Sequence, residues 1–101
     1  MQRPPTQALT LLNNDFVVEQ SKAFAERVLR LAGPEQQAQV REAFRIGLSR
    51  EPSPKEIEEN VAFLNRRMDA AAQAKSQAPA VEALTDLCDI ILNLNEFLYI
   101  N

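Results

Sequence analysis

The side chains able to do chemistry are few. Cys88 is the only thiol, and histidine is absent. Without an imidazole there is no Ser-His-Asp triad, no Cys-His pair and no imidazole metal site, and the commonest general base is missing. A single cysteine also excludes an internal disulfide and a thiolate zinc site. A reactive thiol needs a basic neighbour and partial exposure. Cys88 instead stands between Asp86 and Asp89 on an apolar stripe, which predicts a buried, structural thiol with a raised pKa. The run Asp86-Leu87-Cys88-Asp89 is not a haem-attachment motif either, since that needs a second Cys and a His.

Charged and amide side chains give three further candidates. Glu56, Glu58 and Glu59 could seed an oxygen-ligand metal site, but they fall at a predicted helix start. The partial positive charge there suits carboxylates and repels a cation. Arg41, Arg45 and Arg50 form the one basic cluster and could seat a carboxylate or phosphate. Glu42 and Glu51 beside them favour an internal ion-pair network. Asn13, Asn14, Asn93 and Asn95 could build a polar pocket if two chain breaks meet in space, and helix capping alone also accounts for them.

The elements that must position these residues are helical. The chain has 101 residues, one domain's worth. Apolar residues make up 46 %, enough for a core, and there are only two glycines. Eleven basic and fourteen acidic residues give a net charge of −3, which argues against nucleic-acid binding. No run reaches the ~18 apolar residues of a membrane span. The opening Met1-Gln2-Arg3-Pro4-Pro5-Thr6 is not a signal peptide. Residues 76–101 carry −4 against +1 for residues 1–75. That predicts an acidic last segment facing the basic part of its own fold, or else an acidic docking face.

Punctuation by Pro and Gly divides the chain into about five helical segments. The first is Thr6 to Leu12, after Pro4-Pro5. The second is Phe16 to Ala32, stopped by Gly33-Pro34. The third is Glu35 to Leu48. Gly47 within it costs about 1 kcal/mol of helix propensity against Ala, so another helix should approach closely there. The fourth opens on Ser53-Pro54-Lys55-Glu56, a capping box with Pro at the first helical position. Its apolar stripe is Ile57, Val61, Leu64 and Met68, and it fades in Ala70–Ala74, where little can pack. The fifth is Ala80 to Leu92, opened by Pro79 and ending near Asn93-Leu94-Asn95. Glu96–Ile100 then forms an apolar tail.

Several strings together resemble a known family. They are Pro5-Thr6-Gln7-Ala8-Leu9-Thr10-Leu11-Leu12-Asn13-Asn14, Phe16-Val17 with Phe24-Ala25-Glu26-Arg27-Val28, Ala43-Phe44-Arg45 with Leu48-Ser49-Arg50-Glu51-Pro52 and Glu56, and Ala83–Cys88 running into Leu92–Ile100. The chain resembles the C-terminal part of the planctomycete PSD-one domain of unknown function along essentially its full length. The resemblance implies the last ~100 residues of a longer, exported protein, periplasmic or at the cell surface, with haem c in a cytochrome domain elsewhere in the parent. Links to polysaccharide breakdown rest on genomic company. Relatives often carry a His directly after the Cys, where this chain has Asp89, so a role for that His does not transfer.

The expectation is therefore an all-α, compact bundle of about five helices with a short apolar C-terminal tail, residues 1–101 forming a single domain. Its core should comprise Leu9, Leu12, Phe16, Phe24, Val28, Leu31, Val40, Phe44, Leu48, Ile57, Val61, Leu64, Met68, Leu84, Leu87, Cys88, Ile91, Leu94 and Phe97. The first functional reading is a non-catalytic packing module whose partner is the upstream part of its parent or another protein. An apolar patch around Leu9, Leu12 and Phe97–Tyr99 would carry it. The second is a segment completing the parent's active site through Asn13, Asn14, Asn93, Asn95 and Arg50. The third is a homodimer joined through the fifth segment. The candidate interaction or polar site is Asn13, Asn14, Arg50, Asn93, Asn95, Phe97 and Tyr99, with no catalytic, metal or cofactor residue in this chain.

Overall fold

Helix ends in this chain are written by capping chemistry, and the computed structural model shows how each is made. It describes residues 15–100, and the side chains of 15–94. Among the described residues there are four α-helices and no strand: α1 (Asp15–Ala32), α2 (Gln36–Leu48), α3 (Pro54–Gln73) and α4 (Pro79–Ile100). Of the five expected segments, four are these helices. The other, Thr6 to Leu12, lies outside the described residues, as do Asn13 and Asn14.

α1 stops where Gly33 turns left-handed (φ 76°) and its N–H donates to the Leu29 carbonyl at 2.9 Å. Gly tolerates that backbone without penalty. Glu35, expected as the first helical residue of α2, is its cap instead and accepts from the Ala38 N–H at 3.1 Å. α3 opens on the expected capping box. The Glu56 N–H donates to Ser53 Oγ at 3.1 Å, and the Ser53 N–H donates to Glu56 Oε1 at 2.9 Å. α3 closes with Lys75 left-handed (φ 65°), its N–H donating to Ala72 and that of Ser76 to Ala71. These two bonds satisfy the last carbonyls of the helix.

α4 departs from expectation at its far end. It does not break at Asn93-Leu94-Asn95; the backbone stays helical to Ile100, so the apolar tail is the end of this helix. Asn is only a moderately poor helix former. Asn93 also turns its amide along the helix, donating to Asp89 Oδ1 at 3.4 Å, rather than capping the backbone.

α4 packs on all three other helices, as α2 does, and most extensively on α3 and α1. It supplies Ala83, Leu84, Leu87, Cys88 and Ile91 to the core, each at most 2 % exposed. Around it pack Phe24, Ala25 and Val28 of α1, Val40, Ala43 and Phe44 of α2, and Leu64 of α3. Leu48, Ile57, Val61 and Met68 are partly buried against this cluster. Three alanines, 25, 43 and 83, are at most 1 % exposed and mark where helices come close. Gly47 does the same, as expected. A Cβ placed there would clash with Ile91 Cγ2 and lie 3.0 Å from Phe24 Cζ.

Three expected core residues are on the surface: Phe16 is 57 % exposed, Leu31 54 % and Leu94 49 %. A helix extends past its neighbours at its ends, and periodicity does not report where the neighbours stop. In α1 the spacing of large residues also misleads. The buried stripe runs through Ser21, Phe24, Ala25 and Val28, and Ala32 rather than Leu31 packs inward. Ala71 is buried too, contrary to the expectation that little packs in Ala70–Ala74. Leu9, Leu12 and the Phe97 side chain lie outside what is described.

Candidate functional site

The α2–α3 connection is the most elaborated polar feature. Ser49 takes the left-handed conformation (φ 57°) that ends α2, and this turns Arg50 back across the connection. The guanidinium grips Glu56 with both nitrogens, Nη1 to Oε1 and Nη2 to Oε2, each at 2.8 Å. Its Cζ sits 5.2 Å from the centre of the Phe44 ring, within cation–π range. Nη1 also donates to the Glu51 carbonyl at 3.3 Å. One side chain thus ties the end of α2, the connection and the first turn of α3. Within α2 itself, Glu42 pairs with Arg45, as expected. Arg50 departs from expectation, since its carboxylate partner is Glu56 and Glu51 offers only its backbone.

This grip holds the Glu56 carboxyl at about 2, well below its ordinary value, through the Arg50 hydrogen bond first and the Ser53 backbone bond second. A depressed folded-state pKa contributes stability that is present above the unfolded pKa and is lost as pH falls through the folded one. The window therefore runs from about pH 4.5 down to about 2. Glu56→Gln keeps the capping box and removes the charge. The melting temperature of the native chain should exceed that of Glu56→Gln at pH 7, and most of the gap should be gone at pH 2. Thermal melts at both pH values measure it.

Asn93 and Ser21 meet at Asp89. Ser21, 1 % exposed on α1, donates to Asp89 Oδ1 at 3.4 Å, and the Asn93 amide reaches the same oxygen at 3.4 Å. These are long, weak bonds, and the first crosses from α1 to α4. Sequence reading missed Ser21 because a lone serine in a helix carries no periodic signal. It also missed Gln39, which is buried and donates to the Gly33 carbonyl at 2.8 Å, fixing the α1–α2 turn. Between α3 and α4, Arg67 Nε binds Asp86 Oδ2 at 3.0 Å, so part of the acidic charge of α4 does face a basic neighbour in the fold.

Of the expected site residues, Arg50 and Asn93 are described in full. Arg50 follows Gly47 by three residues and Asn93 follows Ile91 by two, and Gly47 and Ile91 are in contact. No hydrogen bond joins Arg50 to Asn93; each is engaged by its own neighbour, Glu56 and Asp89. Asn95, Phe97 and Tyr99 fall on the last turns of α4, and their side chains lie outside what is described. Cys88 is buried, and burial pushes its thiol up to about 12. Among the described residues no three His, Cys, Asp or Glu side chains are grouped to hold a metal ion, and no helix is long and apolar enough to cross a membrane.

Clefts open at three places among the described residues. One of about 520 Å³ lies among the start of α2, α3 and the start of α4, where Gln36 Nε2 donates to Asn65 Oδ1 at 3.0 Å. One of about 550 Å³ lies between Lys22 and Glu26 of α1 and the first turns of α4. The third, about 280 Å³, is a groove between α1 and α2 floored by Phe24, Gly47 and Leu92. Neither Arg50 nor Asn93 lines any of these three.

Fold and surface together define an all-α domain whose described polar side chains mainly cap helices and tie them to one another. A family model described as a protein of unknown function (DUF1553), PSD1, matches residues 1–64. The chain belongs to that family. The match takes in α1, α2 and α3 as far as Leu64; α4 lies beyond it, whereas the resemblance read from the sequence runs the full length. No curated protein and no solved structure matches the chain.

Proposed function

We propose that this chain is a non-catalytic helical packing module at the C-terminal end of a larger exported protein, and that it docks on the preceding part of that protein through the far half of α4. The observation that carries this reading is a pair of exposed apolar side chains. Ile90 is 43 % exposed and Leu94 49 %. They stand at i and i+4 on one helical face, and Phe97 and Leu98 continue that spacing in the sequence. An apolar stripe on one helix face is what a neighbouring element buries. The exported location, the cytochrome-bearing parent and a connection with polysaccharide metabolism rest on the family resemblance alone.

The test is a double variant, Ile90→Glu with Leu94→Glu, examined by light scattering after size exclusion, by binding of a hydrophobic dye and by thermal melting. The native chain should bind the dye, and the variant should lose that binding at an unchanged melting temperature. A native chain that binds no dye, or a variant that unfolds, would show the face to be covered within the fold and overturn the reading. A native mass of twice the monomer that the variant abolishes would assign the face to a homodimer instead.

A further inference from the structure

We propose that Met68 is an oxidation site, and that its sulfoxide fastens the start of α2 to α3. Met68 lies on α3, half-buried, and lines the cleft of about 520 Å³ that α3 shares with the starts of α2 and α4. Its Sδ accepts from Gln36 Nε2 at 3.9 Å, and the same nitrogen donates to Asn65 Oδ1 at 3.0 Å. A carboxamide nitrogen carries two hydrogens, so both bonds stand together. Gln36 thus spans from the first residue of α2 to two residues of α3 that lie one turn apart. The thioether is the weak end of this bridge, because its sulfur is a poor acceptor.

A hydroperoxide entering the cleft changes that end. The Sδ lone pair attacks one peroxide oxygen and the O–O bond breaks. The thioether gives up two electrons and becomes a sulfoxide. The peroxide is reduced to an alcohol, or to water where it is hydrogen peroxide, its own proton moving to the departing oxygen. The step adds a strong acceptor, and the geometry has room for it. An oxygen about 1.5 Å from Sδ and about 2.9 Å from Gln36 Nε2 closes a triangle on the 3.9 Å separation, with an angle of about 120° at the oxygen. That is an ordinary hydrogen bond along a lone pair, made without a change in the Sδ–Nε2 separation. Oxidation disrupts a packed methionine when the new polar group is buried without a partner. Here the partner is already in place, and the carboxamides of Gln37, Gln39 and Asn65 give the same cleft a polar rim. Methionine sulfoxide reductases reverse the step.

Treatment of the full chain with hydrogen peroxide tests this. Trypsin cuts after Arg67 and Lys75, so mass spectrometry of the peptide 68–75 reads Met68 apart from Met1, the other methionine. The expected result is one added oxygen on that peptide from the folded chain, with no loss of melting temperature. Gln36→Leu keeps the bulk and removes the donor. There the same oxidation should lower the melting temperature by about 5 °C, the shift of one lost hydrogen bond in a domain of this size. In the oxidised native chain the Gln36 carboxamide proton resonances should move downfield while those of Gln20 on α1 stay in place. Those resonances decide the question if Gln36→Leu does not fold. Met68 that takes up oxygen only after unfolding in urea, a native chain that loses as much on oxidation as Gln36→Leu, or Gln36 protons that do not move would each overturn the proposal.

Discussion

Leu84→Ala should lower the unfolding free energy by about 3 kcal/mol, within the ~2–5 kcal/mol that buried Leu→Ala changes remove. Leu84 is fully buried on α4, which packs against all three other helices. The cavity would open between elements fixed by several independent ties: Arg50–Glu56 at the α2–α3 connection, Arg67–Asp86 between α3 and α4, and Gln39 at the α1–α2 turn. Such a site collapses poorly, so the loss should not fall to the low end of the range. For a domain of this size the melting temperature should drop by roughly 15 °C, a large share of the ~5–15 kcal/mol total being lost. Ile90→Ala on the same helix is the contrast. Ile90 is 43 % exposed and Ala is the better helix former, so its effect should stay within about 0.5 kcal/mol. Urea unfolding of both variants measures the difference. Equal losses would mean that Ile90 is covered in the folded chain, and the docking face assigned to it would fall with that result.

The contrast also shows what the sequence could disclose. The capping box at Ser53, the Gly33-Pro34 stop and the Pro79 start were legible because each depends on residues within four positions of one another. The inward face of α4 was legible because Leu84, Leu87, Cys88 and Ile91 repeat at helical spacing. What periodicity lacks is the length of a neighbour. Phe16, Leu31 and Leu94 carry the right spacing and are still exposed, since nothing described covers the helix ends where they sit. The inner register of α1 was hidden for a different reason. Ser21 and Ala25 carry it through smallness, and small residues do not announce a face.

Polar partners divided in the same way. Glu42 with Arg45 is a local helical pair and could be read directly. Arg50 with Glu56 spans a connection whose path depends on Ser49 turning left-handed, which no sequence rule demanded. The sequence placed Arg50 in a candidate polar site. The structure gives its charge a partner and a ring to rest on, both within the chain.

Gly47→Ala sets two local rules against each other, and the structure says which wins. Helix propensity alone predicts a gain of about 1 kcal/mol for replacing a glycine inside α2. Packing predicts a loss. The added methyl would meet Ile91 Cγ2 inside contact distance, and Phe24 Cζ at 3.0 Å and Cε2 at 3.3 Å. Ile91 is 2 % exposed and Phe24 9 %, and Cγ2 branches directly from Cβ, so it cannot swing aside as the end of a long side chain could. Forcing a methyl into a filled core costs about 1–3 kcal/mol. The net expectation is a destabilisation of up to about 2 kcal/mol, toward the upper end because the methyl meets Ile91 Cγ2 inside contact distance, read as a lower urea midpoint at an unchanged slope. Ile91→Leu provides the decisive control, because leucine has no Cγ2. The exchange alone should lose less than about 1.5 kcal/mol, and combined with Gly47→Ala it should recover about 1 kcal/mol relative to the sum of the single changes. A stabilised Gly47→Ala chain, or two changes that simply add, would mean that α2 and α4 stand further apart here. The glycine would then have no packing reason to be where it is.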